Sequence, residues 1–287
     1  MEFRNDDQLR SFLKNESKRL GVSITNTYNT FFTKLLLERL SKFSYDGLFV
    51  KGSFSELVHL DRMIRPITDL DLVSTQNHND PLIFLFRAMY DTNTDIFYEL
   101  TDIPKKTRTG IYKISMTANF GKMKHPISID FQELSNTIYE KDYQRVNPIF
   151  TGDDYFYIWT PSFEEHLAEK LCIVTESNKV NVLNTRVKDF YDIYILCDGG
   201  YDKERLSYFF YHMLKDRNKI DINAASTNHL NSKYIEDHRE LWNQMSKRYE
   251  FMDKSVKFKE SVEFTKELLD QEINNLDKSK QLKIRLR

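Results

Sequence analysis

Apolar positions in the first part of the chain recur at helical spacing. Leu9, Phe12 and Leu13 form one short stripe, and Tyr28, Phe31, Phe32, Leu35, Leu36 and Leu40 form a longer one. Residues three and four apart share one side of a helix, so both stripes predict helices whose inner faces build core. The period then changes. Gly47-Leu48-Phe49-Val50-Lys51 reads as a buried strand, it stops at Gly52-Ser53, and residues 53–60 read as a helix leaving that turn. Thr68 to Val73 alternates polar and apolar, the pattern of a strand with one wet face. Residues 81–89 predict a helix, and 95–100, 110–120 and 126–132 predict three more strands of a mixed, mostly consecutive sheet. The basic stretch 104–110 between the first two reads as a hairpin-like, solvated turn.

After Trp159-Thr160-Pro161 the pattern becomes helical. Ser162 is placed to cap a helix carrying Glu164, Glu165, Glu169 and Lys170, and further helices are expected near 186–197, 202–216, 231–250 and 256–276. The expectation is an α+β chain with a strand-rich domain over 1–158 and a helical domain over 159–287. The tail from Lys278 to Arg287 is basic and carries no acid, as a solvated end does.

Composition narrows the classes. The chain has 287 residues, 40% hydrophobic and 14% aromatic, enough for an ordinary core. Lys and Arg total 42 against 43 Asp and Glu, a formal charge of −1, so any polyanion has to be met by a local patch and not by bulk charge. Cys172 and Cys197 both fall in helical segments, and no apolar run has the length of a membrane span or the form of a leader. A cytoplasmic, reducing setting is expected, with no membrane partner and a monomeric state.

Candidate chemistry lies in a sparse, ordered set of residues. A Gly52-Ser53 turn after a strand offers backbone N–H groups to phosphate. Asp69 and Asp71, two residues apart, share one strand face and together hold a cation such as Mg²⁺ or Mn²⁺. Residues 54–68 leave room for a helix and a return, which sets the acids beside the turn. Asp130 lies on the face opposite Ile127, Ile129 and Phe131, and becomes a third metal carboxylate or a general base where its strand neighbours the first. Lys170 and Arg186 are suited to a departing pyrophosphate, with Asp189 and Asp192, at i, i+3 spacings along one helix, orienting them. Lys188 lies close by in sequence.

Together these pieces resemble the AbiEii/MenT-type nucleotidyltransferase toxins, a branch of the DNA polymerase β-like nucleotidyltransferase superfamily. The resemblance spans about residues 20 to 200 and rests on Lys51-Gly52-Ser53, Asp69-Leu70-Asp71, Asp130, Glu169-Lys170 and Arg186-Val187-Lys188-Asp189-Phe190-Tyr191-Asp192. Where many relatives carry a second glycine and a small residue, this chain reads Lys51-Gly52-Ser53-Phe54. The resemblance implies a polymerase β-like mixed sheet with flanking helices, then a C-terminal helical bundle. It further implies a growth-arresting enzyme of a toxin–antitoxin or abortive-infection system, encoded beside an antitoxin, that moves NMP from an NTP to RNA, at the tRNA 3′ end in some members. Catalysis would rest on Asp69, Asp71, Asp130, Lys170 and Asp189. Nucleotide binding would rest on Lys51, Gly52, Ser53, Lys170, Arg186 and Lys188. On this reading Asp71→Ala and Lys170→Ala abolish transfer with nearly unchanged melts. Alternatives are a small-molecule, aminoglycoside-type enzyme with an acidic pocket from Asp153, Asp154, Glu164 and Glu165, a protein nucleotidyltransferase, and a non-catalytic nucleotide-binding relative.

Overall fold

The structure, a computed structural model, describes residues 2–43, 47–75, 82–90, 95–108, 110–133, 140–176, 186–216, 225–250, 252–279 and 282. The chain divides into two compact units, one formed by 1–136 with 141–160 and the other by 137–140 with 161–287.

In the first unit, α1 (Asp6–Leu20) starts where the Asn5 side chain accepts from Gln8 N, and ends at Gly21 in the left-handed region; α2 (Ile24–Ser41) starts at Ser23, whose hydroxyl accepts from Asn26 N. The sheet contains β1 (Leu48–Lys51), β2 (Leu70–Ser74), β3 (Phe97–Leu100), β4 (Lys105–Lys106), β5 (Ile111–Phe120) and β6 (Met123–Glu133), with α3 (Gly52–Leu60) and α4 (Leu82–Met89) in its connections. Its order is β1-β2-β6-β5-β3, with β4 pairing β5. The β2–β6 pair is parallel and the others are antiparallel, so the sheet is mixed as expected. The stretch 104–110 is more than a turn, since Lys105 and Lys106 pair with Lys113 and Tyr112.

Alternation divides the sheet into two faces. Leu70, Leu72, Ile114, Met116, Ile129 and Phe131 point to a core shared with Leu9, Leu13, Phe31, Phe32 and Leu36 of the first two helices. Within that core Arg39 is almost fully buried. It donates to the carbonyls of Ala88 and Ile96, the latter at 2.5 Å, and its guanidinium lies 5.0 Å from the Tyr98 ring centroid. It thereby ties the end of α4 to the approach to β3. A second sheet, β7 (Lys141–Val146) with β8 (Phe156–Pro161), was not expected from the sequence. Its outward positions are charged or aromatic, so no apolar alternation announces it.

The second unit is helical: α5 (Phe163–Glu176), α6 (Val187–Asp198), α7 (Lys203–Asp216), α8 (Ser232–Arg248), α9 (Phe258–Asn274) and α10 (Leu276–Ser279). Helix α5 packs on α6 and α7, and α6 on α8 and α9. Leu167, Leu171, Phe190, Tyr191, Phe209, Phe210 and Leu269 are buried there. Ser162 stands at the cap position, as His166 N donates to its carbonyl at 2.9 Å, but its hydroxyl has no hydrogen-bond partner among the described residues. The acceptor at this helix start is Glu165, which receives Glu140 N at 2.8 Å. Cys172 and Cys197 form no disulfide, and burial pushes Cys197 up to about 12. Most of the basic tail lies outside the described residues.

Arg39→Met keeps much of the aliphatic volume but leaves two buried carbonyls without their donor. It is expected to lower the unfolding free energy by about 2–4 kcal/mol in urea denaturation, the scale for removing a partner of buried polar groups.

Candidate active site

The site in the first unit is built by register. Lys51 of β1 stands opposite Asp71 of β2, Asp71 opposite Asp130 of β6, Asp130 opposite Lys113 of β5, and Lys113 opposite Lys105 of β4. Residues opposed across a ladder project to the same side. One transverse row therefore carries two carboxylates between flanking lysines, on the face away from the helical core. Asp69, two residues before Asp71, joins the same face. Carboxylate oxygens of Asp69, Asp71 and Asp130 lie within 4.8 Å of one another, all three half-buried. Lys113 Nζ is ion-paired with Asp130 Oδ2 and Thr68 Oγ1 donates to Asp69 Oδ1 at 3.0 Å.

The turn after β1 bears on the same spot. Gly52 has φ +64°, and a Cβ there would overlap the Asp71 carboxylate, so both the conformation and the space require glycine. Ser53 follows in the first turn of α3. It is buried, and its hydroxyl has no hydrogen-bond partner among the described residues. The first N–H groups of a helix lack intrahelical acceptors and carry partial positive charge, so an anion is favoured there. Phe54 is buried in the core and leaves the turn to Gly52 and Ser53.

Three hard oxygen donors converging on one point fit a divalent cation of the Mg²⁺ or Mn²⁺ kind. Like charges this close repel, by about 4 kcal/mol for a pair 4 Å apart near a protein surface. Lys113 offsets that repulsion at Asp130.

In the second unit Lys170 of α5 is buried and donates to Asp192 Oδ2 at 2.8 Å, with Asp189 Oδ1 3.7 Å away. Asp189 Oδ2 accepts from Arg186 Nε at 2.7 Å. The structure thus joins Lys170, Arg186, Asp189 and Asp192, while Lys188 takes no part in these contacts. Asp192 is the closer partner of Lys170, the reverse of the emphasis given to Asp189. Lys170 and both acids are nearly inaccessible, whereas the Arg186 side chain is 48% exposed. The expectation of an unchanged melt for Lys170→Ala does not survive this burial. Truncation would remove the buried cation that donates to Asp192 and leave Arg186 on Asp189.

Three of the acids proposed for a cationic acceptor are engaged: Asp153 pairs with Lys34 at 3.0 Å, Glu165 accepts from Glu140 N, and Glu164 is 3.5 Å from Arg205. The fourth, Asp154, is exposed and lines a cavity with Asp153, Glu38, Lys34 and Lys42. Sequence reasoning did not single out Lys113. Its signal is the ladder position opposite Asp130, which requires knowing that β5 and β6 form a hairpin.

Comparison with known proteins gives the family and the fold. The family model described as nucleotidyl transferase AbiEii toxin, type IV TA system, matches residues 35–266. The chain belongs to the AbiEii family. It is therefore a nucleotidyltransferase of a toxin family, and the type IV toxin–antitoxin description implies a cognate antitoxin. The family match runs well past residue 200, where the motif resemblance ended. The crystal structure of JHP933 from Helicobacter pylori superposes with a TM-score of 0.54 at 14% identity, over 90% of this chain and 96% of that one, which shows a shared fold. An antigenic nucleotidyltransferase-like protein from Paracoccidioides brasiliensis aligns at 12% identity and a TM-score of 0.41, over 70% of this chain and 91% of that one. No curated protein sequence matches significantly. No helix among the described residues is long and apolar enough to cross a membrane.

Asp71→Asn in this AbiEii-family chain removes one of three mutually repelling charges while keeping shape. Its melt without metal is expected to equal or exceed that of the unmodified protein. Added Mg²⁺ should raise the melt of the unmodified protein and leave the variant's unmoved, since a ligand stabilises only the fold that binds it. Differential scanning fluorimetry reads both. Lys170→Ala should lose about 3–5 kcal/mol in chemical denaturation, whereas Arg186→Gln, which removes a half-exposed cation and leaves Lys170 near Asp189, should lose less.

Proposed function

We propose that the protein transfers NMP from an NTP to a hydroxyl of an RNA acceptor, at a tRNA 3′ end, with Mg²⁺ or Mn²⁺ held by Asp69, Asp71 and Asp130. The observation that carries this reading is the convergence of the three carboxylates beside the Gly52-Ser53 turn. The cation would draw electrons from the α-phosphate and offset charge that develops there. The backbone N–H groups of the turn and the Ser53 hydroxyl take phosphate oxygens, and Lys51, at the edge of the same row, adds a positive charge. Asp130 accepts the proton of the attacking hydroxyl or completes the ligand set, and Lys113 holds its carboxylate in place. We assign Arg186, the exposed member of its cluster, to the pyrophosphate that leaves, and Lys170 to positioning, as its contacts to Asp192 and Asp189 fix the acid that holds Arg186.

The reading of RNA as acceptor draws on the family resemblance and on Lys105, an exposed lysine at one end of the row that crosses the acids, paired with Asp102. The same reading places the enzyme in the cytoplasm, where NTP and RNA are abundant, under the control of its antitoxin.

Incubation of the protein with Mg²⁺, bacterial RNA and each α-labelled NTP in turn should label a tRNA-sized band, with one nucleotide preferred. Asp69→Asn should reduce that label by at least about a hundredfold, the range for removing an electrostatic group of a transfer site. Label on protein alone, or equal label with Asp69→Asn, would contradict the assignment.

A further inference from the structure

The β7–β8 sheet presents a face that nucleotide transfer does not use. Lys141, Tyr143 and Arg145 alternate to one side of β7, and Tyr155, Tyr157 and Trp159 to the same side along β8 and the residue before it. Tyr143 is 48%, Tyr155 59% and Tyr157 39% exposed, while Phe156 and Ile158 on the opposite side are buried. The rings form a continuous run. Tyr155 meets Tyr157 edge-on at 5.9 Å, Tyr157 stacks on Tyr143 at 5.2 Å and 21°, and Tyr143 lies 4.6 Å from Trp159. A cation closes each end, Arg145 over Tyr155 at 5.6 Å and Lys141 over Trp159 at 5.3 Å.

Solvent-facing strand positions ordinarily take polar residues, so a run of exposed rings calls for a ligand. The charges choose its class. Both charged side chains on this face are cationic. Asp142 alternates to the other side, where Gln144 Nε2 donates to it at 2.6 Å, and Asp154 precedes the strand. Lys141 and Arg145 lie about 13 Å apart along β7, at 3.3 Å per residue, with the rings between them. Flat π faces interleaved with well-spaced positive charge match unpaired nucleotides, whose bases stack and whose phosphates need cations. The sheet is also fixed within the first unit. β7 packs on α3, and Asn147 Nδ2 donates to Asp61 Oδ1, at the end of α3, at 2.7 Å. The Gly52-Ser53 turn opens that same helix.

We infer that this aromatic ribbon docks a single-stranded segment of the RNA acceptor, with bases on Tyr143, Tyr157 and Trp159 and phosphates against Lys141 and Arg145. The inference rests on the reading that the acceptor is RNA. Its test is fluorescence anisotropy of a labelled oligoadenylate with the full chain, without NTP. Tyr143→Ala and Tyr157→Ala should each weaken binding about tenfold, the scale of one base–aromatic stack. Tyr157→Phe should bind as the unmodified protein does, and a blunt RNA duplex should compete poorly. Replacing Lys141 and Arg145 by Gln should flatten the salt dependence. Because the rings are exposed, the melts should stay within about 2 °C. Oligoadenylate binding unchanged in the Tyr143→Ala/Tyr157→Ala double variant would overturn the ribbon while leaving RNA as acceptor. An unmodified protein that binds no oligonucleotide and labels no RNA would overturn both.

Discussion

Three carboxylates held within 4.8 Å of one another are the constraint around which the first unit is organised. Such a set repels itself and is stable only where the backbone leaves its members no other place. The parallel register that sets Asp71 opposite Asp130 does this, with Asp69 brought in by the period of two along the strand. The same register brings the Gly52 turn against Asp71, because β1 pairs antiparallel with β2 and ends at Lys51. A buried face of Leu70, Leu72, Ile129 and Phe131 holds the strands in that register. A slip of one residue would turn the acids into the core.

Elsewhere the protein treats charge differently. Lys34 bridges Asp153 and Glu38, Arg65 forks onto Glu56, and Lys170 faces Asp192 and Asp189. In each case a poorly solvated ion meets its opposite within hydrogen-bond reach or close to it, as burial demands. The acidic triad adds something else, three like charges that converge half-exposed, although Lys113 pairs with Asp130. A structural ion-pair network does not need such an arrangement, whereas a metal-dependent transfer site does.

Much of this was legible in the sequence, because the relevant signals are local. Alternation in Thr68–Val73 and in Ile127–Phe131 placed Asp69, Asp71 and Asp130 on wet faces, and the apolar run ending at Gly52-Ser53 placed a turn between strand and helix. The mixed sheet followed by helices was likewise readable, since its apolar periods are clean. Three features were not. Lys113 becomes a partner of Asp130 only through cross-strand register, which a linear reading does not supply. Three of the acids considered for a cationic acceptor, Asp153, Glu164 and Glu165, meet Lys34, Arg205 and a backbone N–H distant in sequence. The β7–β8 sheet escaped because Tyr143, Tyr155, Tyr157 and Trp159 lie on its outer face, where a strand signal expects polar residues. That inversion of the usual pattern is what marks the ribbon as a binding surface.

The central claim is that Asp69, Asp71 and Asp130 hold the divalent cation of nucleotide transfer. Anomalous diffraction from crystals of the full chain grown with Mn²⁺ and a non-hydrolysable NTP analogue tests it most directly. The account predicts an anomalous peak coordinated by the three carboxylates at about 2.1–2.3 Å, in the range for a hard divalent cation, with phosphate oxygens reaching it from the Gly52-Ser53 turn. Nucleotide bound elsewhere, or Mn²⁺ held by other side chains while the three aspartates keep only water, would contradict it.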